Sequence, residues 1–119
     1  MEYKASHRYA RISAQKVRPL ATLIRGKFAD EALEILRYQP QRGARMLEKV
    51  LKSALGNAQD PDNPSNRGRT VNVNTLVVSS AQVDGGPMFK RIRPRARGMA
   101  FMIKKRFSHI HVTLEELDI

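Results

Sequence analysis

Apolar residues in the first part of the chain recur with the spacing of an α-helix. Four of them stand at i, i+3, i+4 and i+7, and these are Val17, Leu20, Ala21 and Ile24. Ser13 is suited to cap the N-terminus of this helix, and Gly26 is suited to end it after Arg25 in the left-handed conformation. Pro19 lacks an N–H and predicts a kink in the second turn, unless the helix begins later.

Two more helices are predicted before residue 60. Asp30 caps a short helix that reaches Tyr38 and is stopped by Pro40. Its inward residues are Ala32, Leu33, Leu36 and, beside them, Ile35. Residues 41–59 form the most amphipathic segment, which we interpret as a core helix without a direct function. Its apolar stripe comprises Ala44, Leu47, Leu51, Ala54 and Ala58, widened by Val50 and Leu55.

The apolar spacing changes to two in the remaining segments, which is typical of β-strands. Residues 1–12 are predicted to be extended, residues 71–83 to run outward and residues 99–114 to return, while residues 60–69 form a loop. The alternating residues are Tyr3, Ala5, His7 and Tyr9 in the first strand, Val71, Val73 and Val77 in the second, and Ile110, Val112 and Leu114 in the third.

These elements predict an α+β fold, in which three helices pack on a small antiparallel sheet and a long basic β-hairpin projects from that sheet. At 119 residues the chain is expected to be a single domain. Residues 85–107, called the arm below, form the projecting part. Ten residues of strand beyond the packed base would reach roughly 30 Å.

The arm has an unusual charge. Eight of its residues are basic and none is acidic, and the basic ones are Lys90, Arg91, Arg93, Arg95, Arg97, Lys104, Lys105 and Arg106. Four arginines at every second position from Arg91 would share one side of an extended backbone. Pro94 favours a turn or an unpaired edge there, so we expect the basic tip near residues 90–97. A segment that repels itself this strongly predicts an anionic partner.

A disordered basic tail or a localisation signal would carry a similar charge. Disordered tails are poor in aromatic and branched apolar residues, however, whereas the arm interleaves Met88, Phe89, Ile92, Met99, Phe101, Met102, Ile103 and Phe107 with its cations. Apolar side chains between arginines favour a structured nucleic-acid surface, where they stack on bases or wedge between them.

The chain as a whole has 22 basic and 11 acidic residues and a net charge of +11. Only Glu2 is acidic before Asp30, so a second basic surface is predicted near the N-terminus. Its candidate RNA-binding residues are Lys4, His7, Arg8, Arg11, Ser13, Lys16 and Arg18. A helix that begins at Ser13 would direct backbone N–H groups and its positive dipole end at a phosphate.

Other chemistry finds little support in the sequence. There is no cysteine, no glycine-rich phosphate loop and no nucleophile motif, so we expect no enzyme and no cofactor. His109 and His111 share one strand face, but no further ligand lies nearby in sequence, and we interpret them as solvated or RNA-contacting rather than as a metal site. Asp60 and Asp62 lack the remaining residues of a calcium loop.

No apolar stretch matches a membrane span or a secretory leader, so we expect a soluble protein of the cytosol or an organelle.

Three segments carry a specific resemblance to a known family. HRYARISAQKVRPLATLIRGK (residues 7–27), GPMFKRIRPRARGMA (residues 86–100) and KKRFSHIHV (residues 104–112) resemble, in the same order, the bacterial large-subunit ribosomal protein twenty-two family. Phe89 and Met99 depart from the family pattern, which commonly has methionine at the first position and a basic residue at the second.

The resemblance implies a cytoplasmic protein of the large ribosomal subunit whose hairpin threads ribosomal RNA to the wall of the nascent-peptide exit tunnel. The implied partners are large-subunit ribosomal RNA, neighbouring ribosomal proteins and the nascent peptide, with no membrane and no obligate homo-oligomer. The arm's expected RNA contacts are Lys90, Arg91, Arg93, Arg95, Arg97, Gly98, Lys104, Lys105, Arg106 and, beyond it, His109. The expected tunnel tip comprises Phe89, Lys90, Arg91, Ile92, Arg93, Pro94 and Arg95. From the charge pattern alone, a free-standing RNA chaperone or architectural protein is the alternative.

Overall fold

The computed structural model describes residues 2–60, 73–94 and 96–116. In this part of the chain the elements are, in order, strand β1 (Glu2–Ala10), helices α1 (Ala14–Ile24), α2 (Ala29–Tyr38) and α3 (Arg42–Gln59), a 3-10 turn (Val73–Thr75), strand β2 (Leu76–Pro94), a second 3-10 turn (Ala96–Gly98) and strand β3 (Ala100–Glu116). The predicted loop beyond Asp60, the predicted strand positions Val71 and Asn72, and Arg95 lie outside the described residues.

The strands form one antiparallel sheet in the order β1-β3-β2. Helix α3 packs on β1 and β3, and α1 packs on β2. The α+β fold with a long projecting hairpin is therefore confirmed. Strand β2 lies at an edge of the sheet, which is a position that tolerates Pro94 at the end of the strand.

The core lies between the helices and the base of the hairpin. The stripe predicted for α3 is buried along its whole length, and Ile110, Val112 and Leu114 of β3 are buried as predicted. The prediction for β2 had the wrong phase: Leu76 and Val78 are buried, whereas Val77 is half-buried. The register shift between Val78 and Ser80 explains the difference, because the buried positions are Leu76 and Val78 before the shift and Ala81 and Val83 after it.

The helix ends differ in part from the predictions. Helix α1 continues through Pro19 to Ile24, and Gly26 follows with a φ of +77°, as expected of a left-handed terminating residue. The prediction that Asp30 caps α2 was wrong by two residues. The Phe28 carbonyl accepts the first helical bond from the Ala32 N–H at 2.9 Å, so Asp30 lies in the first turn, where its charge favours the helix dipole.

Strand β1 contains an irregularity that the alternation did not show. Its register against β3 shifts between His7 and Ala10, and Tyr9 has a φ of 59°. The shift turns Tyr9 outward, with 61% of its surface exposed, and buries Ala10. The alternation predicted for residues 3–9 therefore holds only as far as His7.

The hairpin extends well beyond the helices. Strands β2 and β3 pair from Leu76–Glu116 to Pro94–Ala100, with a register shift between Gly85 and Met88. Residues 90–94 are therefore strand, and a 3-10 turn spans Ala96–Gly98, where Arg97 has a φ of 64°. The predicted tip of residues 90–97 thus includes paired strand as well as part of this turn. The nine residue steps from Gly85 to Pro94 correspond to roughly 30 Å, in a molecule that measures 65 × 28 × 16 Å.

Candidate nucleic-acid interface

Parts of the two basic surfaces predicted from the sequence meet at one groove. The groove has a volume of about 850 Å³ and lies between the start of α1, the start of α3 and the arm portion of β3. The described residues that line it include no Asp or Glu. Its six cations, which define the basic groove below, are Arg11, Lys16, Arg42, Lys104, Lys105 and Arg106.

Close packing of α1 against α3 forms the globular wall of the basic groove. A Cβ added to Gly43 would lie 3.2 Å from the Val17 side chain and 3.3 Å from Leu20, so the absence of a side chain lets the two helices approach. This approach places Arg42 beside Arg11, whose carbonyl accepts a hydrogen bond from Arg42 Nη2. Arg42 was not among the predicted site residues, because only the packing at Gly43 brings it to the groove.

Ser13 occupies the N-cap position of α1, as predicted. Its backbone is extended, with φ −74° and ψ 145°, and its carbonyl accepts the Lys16 N–H at 3.2 Å. The Ser13 side chain makes no capping hydrogen bond, so no hydroxyl competes for the first N–H groups of the helix. Because Ser13, Gln15 and Lys16 of this helix end line the basic groove, the helix dipole adds to its positive potential.

Arg18 makes a structural contact that could not be foreseen from the sequence. Its Nε donates to the Val83 carbonyl at 3.1 Å, and Arg25 Nε donates to the Ala81 carbonyl at 2.8 Å. The Gly26 N–H and the Lys27 carbonyl bond both backbone groups of Val78, each at 2.9 Å. Helix α1 and its following turn thus cover the outer edge of β2 up to the point where the arm begins.

The remaining predicted N-terminal residues lie away from the basic groove. Lys4 is on the face of the sheet opposite the helices, where its Nζ is 3.9 Å from Glu2 Oε2. Arg8 is exposed and His7 is half-buried on β1, where His7 pairs with Ile110. The predicted N-terminal surface therefore divides into a part that joins the arm and a part that does not.

Like charges face each other across the arm. Lys90 pairs directly with Lys104, and their neighbours along the ladder include Met88 with Arg106 and Phe89 with Lys105. Opposed like charges destabilise a strand pair, and the arm contains no acidic residue that could compensate them. Among the arm residues whose exposure the structure describes, Gly86, Ile103 and Phe107 are half-buried and the others are exposed.

Aromatic rings occupy the arm near the globular part of the molecule. The rings of Phe89 and Phe107 meet edge to face, with centroids 5.3 Å apart. The Arg91 guanidinium carbon lies 5.5 Å from the centroid of the Phe89 ring. Phe89, Lys90 and Arg91 are thus in paired strand at some distance from the turn, although the sequence grouped them with the tip.

The two histidines of β3 have partners within the protein. His109 Nδ1 accepts the Tyr9 N–H at 3.1 Å, and the two rings meet edge to face at 4.9 Å. His111 Nδ1 is 2.9 Å from Ser6 Oγ, and its Nε2 is 3.3 Å from Asp84 Oδ2. Among the residues that the structure describes, no three His, Cys, Asp or Glu side chains come together as a metal-binding set.

A second polar cluster joins α2 to α3. Arg45 donates to the carbonyls of Leu36, Arg37 and Gln39 at the end of α2, and to Glu48 Oε2 at 2.9 Å. Glu48 is only 8% exposed and also lies 3.3 Å from Lys52 Nζ. Arg45 and Glu48 lie outside the apolar stripe of α3, and their hydrogen bonds connect α3 to the end of α2.

No helix in the described ranges is both long and apolar enough to cross a membrane.

The chain matches the family model described as ribosomal protein L22p/L17e over residues 5–115. Three relatives named large ribosomal subunit protein uL22 illustrate the similarity. The protein of Rhodopirellula baltica is 67% identical, with 98% of this chain and 97% of the relative covered. That of Caldicellulosiruptor saccharolyticus is 52% identical over 96% and 88%, and that of Akkermansia muciniphila is 49% identical over 99% of both chains.

Proposed function

The chain belongs to the ribosomal protein L22p/L17e family, and from this premise we propose that it is a structural constituent of the large ribosomal subunit that binds the RNA of that subunit. Proteins of this family are structural components of the ribosome, so the chain is not an enzyme. In the proposed assembly, which is cytoplasmic, its other neighbours are ribosomal proteins of the same subunit.

The observation that carries the proposal is the uncompensated charge of the arm. The strand pair places Lys90 opposite Lys104 and has no acidic residue within residues 85–107. A free hairpin would be destabilised by this arrangement, whereas contact with phosphates would neutralise it and release counterions. The arm is therefore suited to a polyanion and poorly suited to packing on its own protein.

The basic groove extends this interface onto the globular part. Arg11, Lys16 and Arg42 stand across from Lys105 and Arg106, so an RNA backbone could be held from two sides. Lys4, His7 and Arg8 would contact RNA on a separate surface. Arg18 would contribute only its terminal nitrogens, because its Nε is engaged with Val83.

The arm is also long enough for the role that the family resemblance implies in the exit tunnel. Residues 92–99, at the far end of the roughly 30 Å projection, would reach the tunnel wall, while residues 85–91 and 103–107 would bind RNA along the way. Met99 is 59% exposed next to the turn, which suits it as a probe position.

A photoreactive amino acid at Met99 tests the tunnel proposal. In ribosomes stalled with a labelled nascent chain, we expect a cross-link from Met99 to that chain. The same amino acid at Tyr38, which is 84% exposed on α2, should give none. Cross-links from Met99 to RNA alone would place the arm outside the tunnel.

Sedimentation through salt tests the ribosomal proposal itself. The chain should remain stoichiometric with large subunits through a moderate salt wash, whereas a free-standing RNA chaperone would dissociate. Replacing Arg11, Lys16 and Lys105 with Gln should lower the slope of log affinity against log salt by about 0.7–0.9 for each phosphate that is no longer neutralised. The matched control replaces Lys27, Arg37 and Lys49, which are exposed cations outside the basic groove, and should leave the slope unchanged.

A further inference from the structure

A second cavity lies beside the basic groove and combines cations with aromatic rings. Its volume is about 560 Å³, and it is enclosed by Phe89, Arg91 and Phe107 on the arm and by Arg11 and Arg42 on the globular part. Lys105 and Arg106 complete its rim, and the described residues that line it include no acidic side chain. This cavity, called the aromatic pocket below, brings two phenylalanines together with five cations.

The ladder explains why the rings and cations share one face. Phe89 pairs with Lys105 and Arg91 pairs with Ile103, and directly opposed residues of an antiparallel pair point to the same side. Phe107 is two residues beyond Lys105 on the same strand and therefore on the same side. Phe89 is 47% exposed, so much of its apolar surface is open to solvent beside the cations that line the pocket.

An exposed phenylalanine in such a setting fits one ligand better than others. A phosphate alone would use the arginines and lysines and leave the ring exposed to water. An unpaired nucleotide uses both, because its base stacks on the ring and its phosphate meets the cations. We propose that the aromatic pocket holds one unpaired nucleotide of RNA, with its base stacked on Phe89 and its phosphate held by Arg11, Arg42 and Lys105.

Arg91 occupies the place that the base would take. Its guanidinium carbon is 5.5 Å from the centroid of the Phe89 ring, in an exposed cation–π contact. Stacking of a base on an aromatic ring is stronger than a cation–π contact in water. The base therefore displaces the guanidinium, which turns to the phosphate or stacks on the outer face of the base.

This inference rests on the proposed RNA-binding function but can fail separately from it. Ultraviolet irradiation of intact large subunits joins stacked bases to the rings beside them. Trypsin places Phe89, Phe101 and Phe107 on three different peptides, covering residues 70–90, 98–104 and 107–119. We expect a nucleotide adduct at Phe89. Salt-stable assembly with no adduct on residues 70–90 would overturn the nucleotide site and leave the ribosomal function standing.

Binding by the full-length protein gives the second readout. The probes are an eight-nucleotide oligouridylate and an abasic oligonucleotide of the same length. The loss of one base stack corresponds to a decrease in affinity of about 5- to 150-fold. We expect this decrease for Phe89→Leu with oligouridylate, little change with the abasic probe, and retention of affinity by Phe89→Tyr.

Phe107→Leu is the matched control, because it removes the same ring contact as Phe89→Leu but leaves the exposed ring of Phe89 in place. Its affinity for oligouridylate should fall by much less than that of Phe89→Leu. Equal decreases in the two variants would show that the ring pair only supports the arm and would contradict the proposal. A hexaglutamate peptide serves as a competitor in the same assay. If it competed as strongly as oligouridylate, the ligand of the pocket would be an acidic peptide, and the proposal would also be contradicted.

Discussion

Strands β2 and β3 remain paired along their length, but they lie in two different environments, the base beneath the helices and the arm in solvent. In the base of the hairpin, the side chains of Val78, Ile110 and Leu114 are buried beneath the helices. In the arm, the same two strands pair only with each other, and Lys90 faces Lys104 in solvent. The register shift between Gly85 and Met88 marks the boundary.

The comparison shows that a continuous hydrogen-bonded ladder does not imply uniform stability. Apolar burial stabilises the base, and contacts from Arg18 and Arg25 cover its outer edge. The arm has neither kind of support, and its charges repel each other. We therefore expect the base to carry most of the folding free energy of the hairpin, and the arm to gain its stability from the partner proposed above.

The largest expected difference between the two regions comes from one substitution made in both. Ile110→Ala removes a fully buried side chain from the base and should reduce the free energy of unfolding by about 2–5 kcal/mol. Ile92→Ala, in the arm, alters a side chain that is 74% exposed and should change it by less than about 0.5 kcal/mol. Urea denaturation of the free protein measures both, and equal reductions would contradict the division.

A smaller difference is expected between the neighbouring glycines at the boundary. A Cβ at Gly86 would lie 3.0 Å from the Phe107 carbonyl oxygen and 3.3 Å from His109 Nε2, so Gly86→Ala should destabilise the protein by about 1–3 kcal/mol. A Cβ at Gly85 would meet no atom within 4 Å, and Gly85→Ala should be neutral. Thermal denaturation of the two variants measures this difference. If Gly86→Ala left the stability unchanged, the backbone at the boundary would be able to shift away from the added Cβ at no cost.

The smallest effect concerns the arginine contacts at the edge. Arg25→Gln removes the bond to the Ala81 carbonyl and should cost about 1 kcal/mol. Arg93→Gln removes an exposed charge from the arm, where no acidic residue pairs with it, and should be neutral or slightly stabilising in the free protein. Denaturation at low and high salt checks both, because the effect at Arg93 should vanish as salt screens the repulsion.

Much of the fold could be predicted from the sequence, because periodic burial determines it. The stripe of α3 and the alternation of Ile110, Val112 and Leu114 could be predicted because a buried face is apolar whichever element packs against it. The failures lie where an irregularity of the backbone reverses the alternation of buried and exposed residues. The register shift between Val78 and Ser80 does this in β2, and the positive φ of Tyr9 does it in β1.

The candidate interface was predictable in composition but not in shape. The absence of acidic residues from the arm is visible in the sequence, and it indicated an anionic partner. The meeting of Arg11 and Arg42 depends on the close approach of α1 and α3 at Gly43, which no local pattern reveals. The position of Phe89 in the paired strands of the arm, opposite Lys105, likewise depends on where the turn of the hairpin lies.

Hydrogen exchange of the free protein tests the central claim most directly. The claim is that the base is stably folded without a partner, whereas the arm becomes stable only when it binds one. The amides of α3 and of the base around Val112 should exchange only on global unfolding. Those of residues 88–94 and 100–106 should exchange orders of magnitude faster, and should become protected in assembled large subunits. If the arm of the free protein were as strongly protected as α3, the claim would be contradicted.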